Sequence, residues 1–245
     1  MNTQMSKKTR QEVLTQKRQR YATAAEGHPV RDWDSTTYVS SLETIDEFGP
    51  LLRREALRRG LGSARKVVLL IDGAAGLEHM GRSCFAGAVQ IVDFYHALEH
   101  AGEVLQALLG NKEHPDYRRR LRHWAKRLLQ DGVEQLIAQS RREAEKLGRS
   151  AAVETALGYF VRNVDRMQYG TLRRAGFFIG SGVVEAGCKT VIGARCKQSG
   201  MFWSVPGAEN ILALRCLQAS HRQDAFWKFR LDQHAARNDA PALAA

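Results

Sequence analysis

A continuous apolar run, Val67–Ile71, is the feature that most restricts how this chain can fold. A strand without polar residues on either face is typical of a parallel sheet covered on both sides, so the run predicts a buried central strand. It ends at Asp72, and a second short apolar run, Ala88–Val92, likewise ends at Asp93. An acid at the tip of a buried strand is a frequent place for chemistry in α/β folds. The alternative role for Asp72 is that of a helix N-cap.

The middle of the chain, residues 111–175, contains no strand-like run. Val153, Leu157 and Phe160 recur at spacings of four and three, and Met167 continues the pattern. This spacing predicts an amphipathic helix. Together with the two strands, the helical middle predicts an α/β fold class with a large helical segment.

A further helix is predicted between Ser40 and Gly60. Ser40 followed by Glu43 matches the capping-box pattern that opens a helix. We expect Gly49 and Pro50, which lie inside this helix, to kink or split it.

The chain carries 37 Lys and Arg against 26 Asp and Glu, which gives a formal net charge of +11. An excess of positive charge favours nucleic acid or another polyanion as the partner. The four cysteines form no CxxC pair, which argues against a zinc site. The first twenty residues are polar and charged, and Val67–Ile71 is too short to cross a membrane. We therefore expect a cytoplasmic protein with no membrane partner.

The stretch Gly180–Trp203 combines one carboxylate with glycines and cations. Ser181 is a candidate N-cap, which places Glu185 near the end of the first turn, where the helix dipole favours an ionised carboxylate. Gly187 and Gly193 follow within what we predict to be one helix, and each costs about 1 kcal/mol relative to alanine. We therefore expect something to approach the backbone closely. The cations of the stretch are Lys189, Arg195 and Lys197, and we assign all three to nucleic-acid binding. Both a metal-dependent site facing a polyanion and a core helix with ordinary exposed charges fit this pattern.

The segment Arg118–Arg127 is rich in cations and contains no acid. One interpretation is a solvated helix face. The other, favoured by the net charge, is a surface that contacts phosphates. The residues that we assign to nucleic-acid binding here are Arg118, Arg119 and Arg122.

Several segments together carry a resemblance to one family. The longest and most specific is Gly180–Trp203, which reads GSGVVEAGCKTVIGARCKQSGMFW. The others are His28–Asp32, Asp34–Val39, Asp46–Gly49, Glu55–Gly60, Asp72–Ala74, Gln90–His100 and Gly207–Cys216. The chain resembles the DDE-type insertion-sequence transposases of the ISKra kind, from about Arg10 to about Trp227.

The resemblance implies an RNase H-like core in which two aspartates and one glutamate hold two Mg²⁺ ions. The matched motifs assign Asp72 and Glu185 as catalytic metal ligands. Asp93 and His96 match the (C/D)xxH signature, which lies close to the catalytic acids in such enzymes, and we include both in the predicted catalytic set. The implied activity is metal-dependent cleavage and transfer of DNA strands in transposition. The implied partners are transposon ends, target DNA, and a second copy or a full-length transposase, in a nucleoid-associated bacterial protein.

The family's first catalytic aspartate has no counterpart before Asp72. Asp32 and Asp34 lie in a polar turn region, and Asp46 lies in the predicted helix. We therefore predict an incomplete RNase H-like core whose first strand is missing, with an α-helical insertion. The predicted segments are a partial core at 1–96, the insertion at 97–175, the glutamate helix and a C-terminal helix at 176–230, and a disordered tail at 231–245.

Two alternatives to an active transposase remain open at this point. The first is a catalytically inactive remnant that binds DNA. The second is an unrelated basic helical scaffold, which requires the side chains of Asp72, Asp93 and Glu185 to lie far apart.

Overall fold

The structure, a computed structural model, describes residues 36–238 of the chain. These residues divide into two compact units. The first unit is Ser63–Ser181, and the second consists of residues 36–62 and 182–238. Predictions for residues 1–35 and 239–245 lie outside the described residues. None of the described helices is long and apolar enough to cross a membrane.

The first unit contains a parallel pair of strands, β1 (Val68–Ile71) and β2 (Val89–Val92). Val68 pairs with Val89 and Ile71 with Val92. The α-helix α2 (Ala75–Cys84) connects the strands along the chain. Both predicted runs are therefore strands, and the coarse prediction of helices combined with a parallel sheet is confirmed. The prediction that the first run is a buried central strand is wrong for the described residues: the sheet has two strands, and only Ile71 of β1 is buried, because the other residues of β1 are only partly covered.

The rest of the first unit is helical, as the periodicity of the sequence predicts. Val153, Leu157 and Phe160 are all buried, and so is Met167. The predicted helix ends at Asn163, however, and Val164–Arg166 forms a 3₁₀ turn before Met167. The helices are α3 (Phe94–Leu109), α4 (Tyr117–Leu128), α5 (Val133–Leu147), α6 (Ser150–Asn163) and α7 (Tyr169–Arg174).

One continuous apolar core holds this unit together. It combines β2 with residues from helices α3 to α7, and its largest fully buried side chains include Trp124, Tyr169 and Phe160. The helical segment and the strands therefore share one core.

Asp131 fastens α7 to the turn between α4 and α5. Its carboxylate accepts the main-chain N–H of Gly170 at 2.6 Å and of Thr171 at 3.0 Å, and the Thr171 hydroxyl at 2.8 Å. Arg174 adds an ion pair at 3.2 Å. The first N–H groups of a helix lack partners within it, so this carboxylate caps α7.

The second unit begins with α1 (Ile45–Arg58). The predicted capping box at Ser40 is wrong: Thr44 is the N-cap, and its N–H donates to the Glu47 carboxylate at 3.2 Å. Both pairs have the required spacing of three residues, and only the second directly precedes the helix. Pro50 lies inside α1, which continues past it as one element.

The stretch Gly182–Cys196 forms consecutive helical pieces, where the sequence predicts one regular helix. They are α8 (Gly182–Gly187), a π-helix (Cys188–Gly193) and α9 (Ala194–Cys196). At Gly187 an added Cβ would lie 2.4 Å from Cε1 of Tyr38. The expected close approach to a glycine is thus confirmed at Gly187, and the Tyr38 ring makes it.

Two further helices complete the second unit, α10 (Val205–Ala219) and α11 (Gln223–Asn238). Its buried cluster consists of Val191, Leu212 and Cys216. Residues 231–238, predicted to begin a disordered tail, belong to α11. This segment contains alanine, arginine, glutamine and leucine, which are good helix formers, and the nearest proline is Pro241.

Candidate functional site

The acids Asp72 and Asp93 follow directly after the two paired strands. Ile71 pairs with Val92, and the N–H of Asp93 donates to the Ile71 carbonyl at 2.7 Å. The strands are parallel, so both acids leave the sheet at the same edge. This is the edge at which open α/β folds bind ligands.

Asp93 caps α3 and also binds the end of the first unit. Its Oδ1 accepts the N–H groups of Tyr95 at 2.8 Å and His96 at 3.0 Å, and its Oδ2 accepts the N–H of Ser181. Burial raises the pKa of this carboxyl, but the hydrogen bonds from Ser181, His96 and Tyr95 outweigh burial and hold the pKa below its ordinary value. The contacts are those of a positioning residue, and a catalytic role for Asp93 stays a prediction.

Asp72 lies half-buried in a loop that is held from two sides. Its Oδ1 accepts the N–H of Ala74 at 2.8 Å, and its main-chain carbonyl accepts the hydroxyl of Tyr159 at 2.7 Å. Gly73 adopts φ +88°, and an added Cβ there would lie 2.9 Å from the Tyr159 hydroxyl oxygen. Glycine is therefore required at this position by both its backbone angle and its neighbour.

A cleft of about 330 Å³ opens beside this loop. It combines acids, histidines and cations on one surface. The residues that line it are Asp72, Gly73, Ala74, Ala75, Glu78, His96, His100, Tyr159, Arg162 and Arg166. The structure thus brings His96 to the same cleft as Asp72, as the resemblance implies.

Tyr159 is the residue through which helix α6 supports the cleft. Its ring stacks on His100 with the ring centroids 3.6 Å apart, and His100 Nδ1 lies 2.7 Å from a Glu103 carboxylate oxygen. Burial and the charges of Asp72 and Asp93 raise the pKa of the Tyr159 hydroxyl. Tyr159 therefore stays protonated and donates its hydrogen bond throughout the ordinary pH range.

Glu78 and Arg166 form a second charged pair in the cleft. Arg166 Nη2 lies 2.7 Å from Glu78 Oε2 and also donates to Asn163, while Arg82 pairs with the other Glu78 oxygen. These residues and Tyr159 were not predicted from the sequence, because only the fold brings α2, α6 and the 3₁₀ turn together. Their one local signal is the spacing of Glu78 and Arg82, which is that of a helical ion pair.

The resemblance implies a metal site that involves Asp72, one of the acids in this cleft. Within residues 36–238, no group of three His, Cys, Asp or Glu side chains is arranged to hold a metal ion. In the cleft, Glu78 is ion-paired and Asp72 makes no ion pair with any described residue. A two-metal site needs several carboxylates, so Mg²⁺ binding stays a prediction.

The cations of the basic helix α4 fall into two groups: some form an ion pair with an acid, and others pair with no described acid. Arg120 forms two hydrogen bonds of 2.6 Å with Glu143, and Arg119 pairs with Asp116 at 2.8 Å. Arg118 and Arg122 are exposed and pair with no described acid. Of the three arginines on this helix that we predict to contact DNA, Arg118 and Arg122 are therefore more available to a phosphate than Arg119, which is already ion-paired.

The remaining predicted site residues lie in the second unit and are exposed. Glu185 is in the first turn of the short helix α8, as predicted from its distance to Ser181. Arg195 and Lys197 lie in and directly after α9, and the Arg195 carbonyl accepts the indole N–H of Trp203 at 2.8 Å. Lys189 lies in the π-helix.

Comparison with protein-family models, curated proteins and solved structures finds no match to this chain. The resemblance to transposases therefore rests on the sequence motifs themselves.

Proposed function

We propose that this chain is a DDE-type DNA transposase, which binds DNA and cleaves and joins DNA strands in transposition. The observation that carries the proposal is the position of Asp72 at the carboxyl end of a parallel strand, where its side chain lines a cleft. A parallel strand pair with acids at one edge is compatible with an RNase H-like core. In this proposal Asp72 and Glu185 are catalytic carboxylates, and Asp93 with His96 shapes the site.

Binding of DNA is supported by the exposed cations of α4. Arg118, Arg122 and Lys126 recur every four residues and are all exposed. One helical turn separates successive members, so they form a row with a spacing of about 6 Å along the helix. Such a row suits the phosphates of a nucleic-acid backbone. The net charge of +11 adds attraction at longer range.

A second candidate function is binding of DNA without cleavage. This candidate is favoured because two acids near the cleft are already engaged by other protein groups. Asp93 is hydrogen-bonded and Glu78 is ion-paired within the first unit. On this alternative the cleft is a relic of the active site, and the cations are the functional residues.

The two functions are separated by comparing cleavage with binding in the full chain. Supercoiled plasmid is incubated with the protein and Mg²⁺ or Mn²⁺, and nicking is followed on gels. Asp72→Asn keeps the hydrogen-bond acceptor for Ala74 and removes the charge. Glu145→Gln is the matched control, because Glu145 is an exposed acid of the same unit, on α5.

A transposase should nick DNA, and Asp72→Asn should reduce the rate at least a hundredfold while DNA affinity stays within twofold. The Glu145→Gln variant should behave like the parent chain. DNA binding without nicking under any metal condition would favour the second candidate. Loss of both nicking and DNA binding would contradict both.

A further inference from the structure

Phe202 is the most exposed large apolar side chain of the described residues, with 95% of its surface accessible. It lies in the loop between α9 and α10, next to Trp203, which is 43% exposed. Single exposed leucines and valines are common on protein surfaces, but a nearly fully exposed phenylalanine beside a half-exposed tryptophan indicates a binding site.

The loop that carries these rings is held by hydrogen bonds within the second unit. The Trp203 indole donates to the Arg195 carbonyl at 2.8 Å. The N–H of Met201 donates to the Gln198 carbonyl at 3.3 Å in a turn in which Gly200 takes φ +77°. Ser204 then caps α10 by accepting the N–H of Gly207 at 3.2 Å. The loop that carries the exposed rings is therefore held in one conformation by its own hydrogen bonds.

The sequence segment that contains these two rings carries positive charges and no acidic residue. Residues 186–208 lie between Glu185 and Glu209 and include neither Asp nor Glu. Their cations are Lys189, Arg195 and Lys197, and all three are exposed. A partner of this segment should therefore be anionic and should offer flat apolar surfaces to the rings.

We propose that the loop, residues 197–204, binds unpaired nucleotides, with Phe202 stacking on a base and Lys197 contacting the backbone. Nucleic acid meets both requirements, because every nucleotide combines a phosphate with a base that has a π-face. Duplex DNA buries those faces between neighbouring base pairs, so an exposed ring gains most from a single strand or an unpaired end. The inference rests on the DNA-binding part of the proposed function and is independent of cleavage.

The test compares a fluorescent single-stranded oligonucleotide with a blunt duplex of the same length, using fluorescence anisotropy at one salt concentration. Phe202→Leu keeps an apolar side chain and removes the π-face, whereas Phe202→Tyr keeps the ring. Phe229→Leu on α11 is the matched control, because Phe229 is an exposed aromatic of the same unit outside the acid-free segment.

Phe202→Leu should weaken single-strand binding about tenfold, in line with base–aromatic stacking, and change duplex binding less than twofold. Phe202→Tyr and Phe229→Leu should match the parent chain. In addition, Lys197→Gln should reduce the slope of log affinity against log salt concentration by about one, the contribution of a single phosphate contact.

If the parent chain and Phe202→Leu bind the single strand with equal affinity while duplex binding is intact, this inference is overturned. The proposed function then still stands. An effect of Phe202→Leu on self-association in sedimentation, without an effect on DNA, would also overturn the inference, since the loop would then serve a second copy of the chain. Absence of all nucleic-acid binding would contradict the proposed function as well.

Discussion

The two units of this protein differ in how they treat their apolar residues. The first unit buries them in one core that includes β2 and helices α3 to α7. The second has a buried cluster of Val191, Leu212 and Cys216 and leaves several large side chains exposed. These exposed residues are Leu42, Leu57, Val184, Phe202, Trp203, Val205, Leu214, Trp227, Phe229 and Leu231. The larger first unit exposes fewer, namely Val68, Val89, Tyr95, Leu147, Val161 and Phe178. We infer that the first unit is stabilised by a larger apolar core of its own than the second unit.

A matched pair of core truncations tests this difference most strongly. Leu105 in the first unit is fully buried, and Leu212 is buried in the small cluster of the second. We expect Leu105→Ala to destabilise its unit by about 4 kcal/mol and Leu212→Ala by about 2 kcal/mol, because a site near the surface can collapse around the lost methyl groups. Urea unfolding followed by hydrogen exchange, read separately for each unit, measures both effects.

Hydrogen exchange is needed because two compact units need not unfold in one step. If Leu212→Ala costs as much stability as Leu105→Ala, the second unit has a core as tightly packed as the first. Its exposed apolar residues then do not reflect a weaker core.

The units also differ in how they hold a buried carboxylate. Asp93 in the first unit is bound by main-chain N–H groups, and Glu55 in the second pairs with Arg222 at 2.8 Å. Burial raises the pKa of Glu55, but the hydrogen bond and charge of Arg222, with smaller contributions from Thr37 and Arg58, together outweigh burial, so that the pKa of each acid lies below its ordinary value. Each acid therefore stabilises its folded unit above that ordinary value, and this contribution is lost as the pH falls through the lowered pKa.

The ordinary values are 4.5 for Glu55 and 3.8 for Asp93, so the loss of the Glu55 contribution in the second unit should begin at a higher pH than the loss of the Asp93 contribution in the first. Hydrogen exchange between pH 6 and pH 3 measures the order. Asp93→Asn should remove the share of the acid-dependent stability that Asp93 contributes to the first unit, and it should cost roughly 2 kcal/mol at neutral pH. Added salt should weaken the Glu55 contribution more, since it rests on an ion pair. Simultaneous loss in both units would contradict the prediction.

The sequence predicted those parts of the fold that local patterns determine. The runs that end at Asp72 and Asp93 are strands rich in β-formers, whose last residues are buried. The Val153–Phe160 segment is a helix whose periodic apolar residues face the core. The π-helix at Cys188–Gly193 could not be predicted, because its apolar and polar residues fit an ordinary helix equally well.

The supports of the candidate site could not be predicted either. Tyr159 contacts the Asp72 loop across 87 positions of sequence, and Arg166 reaches Glu78 across 88. No local pattern encodes such contacts. The strand-like runs therefore located the acids at the strand ends, while the side chains that hold them became visible only with the fold.

The smallest predicted effect concerns one such support, the Tyr159 hydroxyl. Tyr159→Phe keeps the ring that stacks on His100 and removes the hydrogen bond to the Asp72 carbonyl. We expect a loss of about 1 kcal/mol in the stability of the first unit and none in the second, because a neutral hydrogen bond contributes about that much. Exchange of the Ala74 amide, which the Asp72 carboxylate holds, should accelerate, since the loop loses its anchor on α6. An Ala74 amide that exchanges at the parent rate would show that Asp72 is held by its strand alone and that α6 contributes only packing to the cleft.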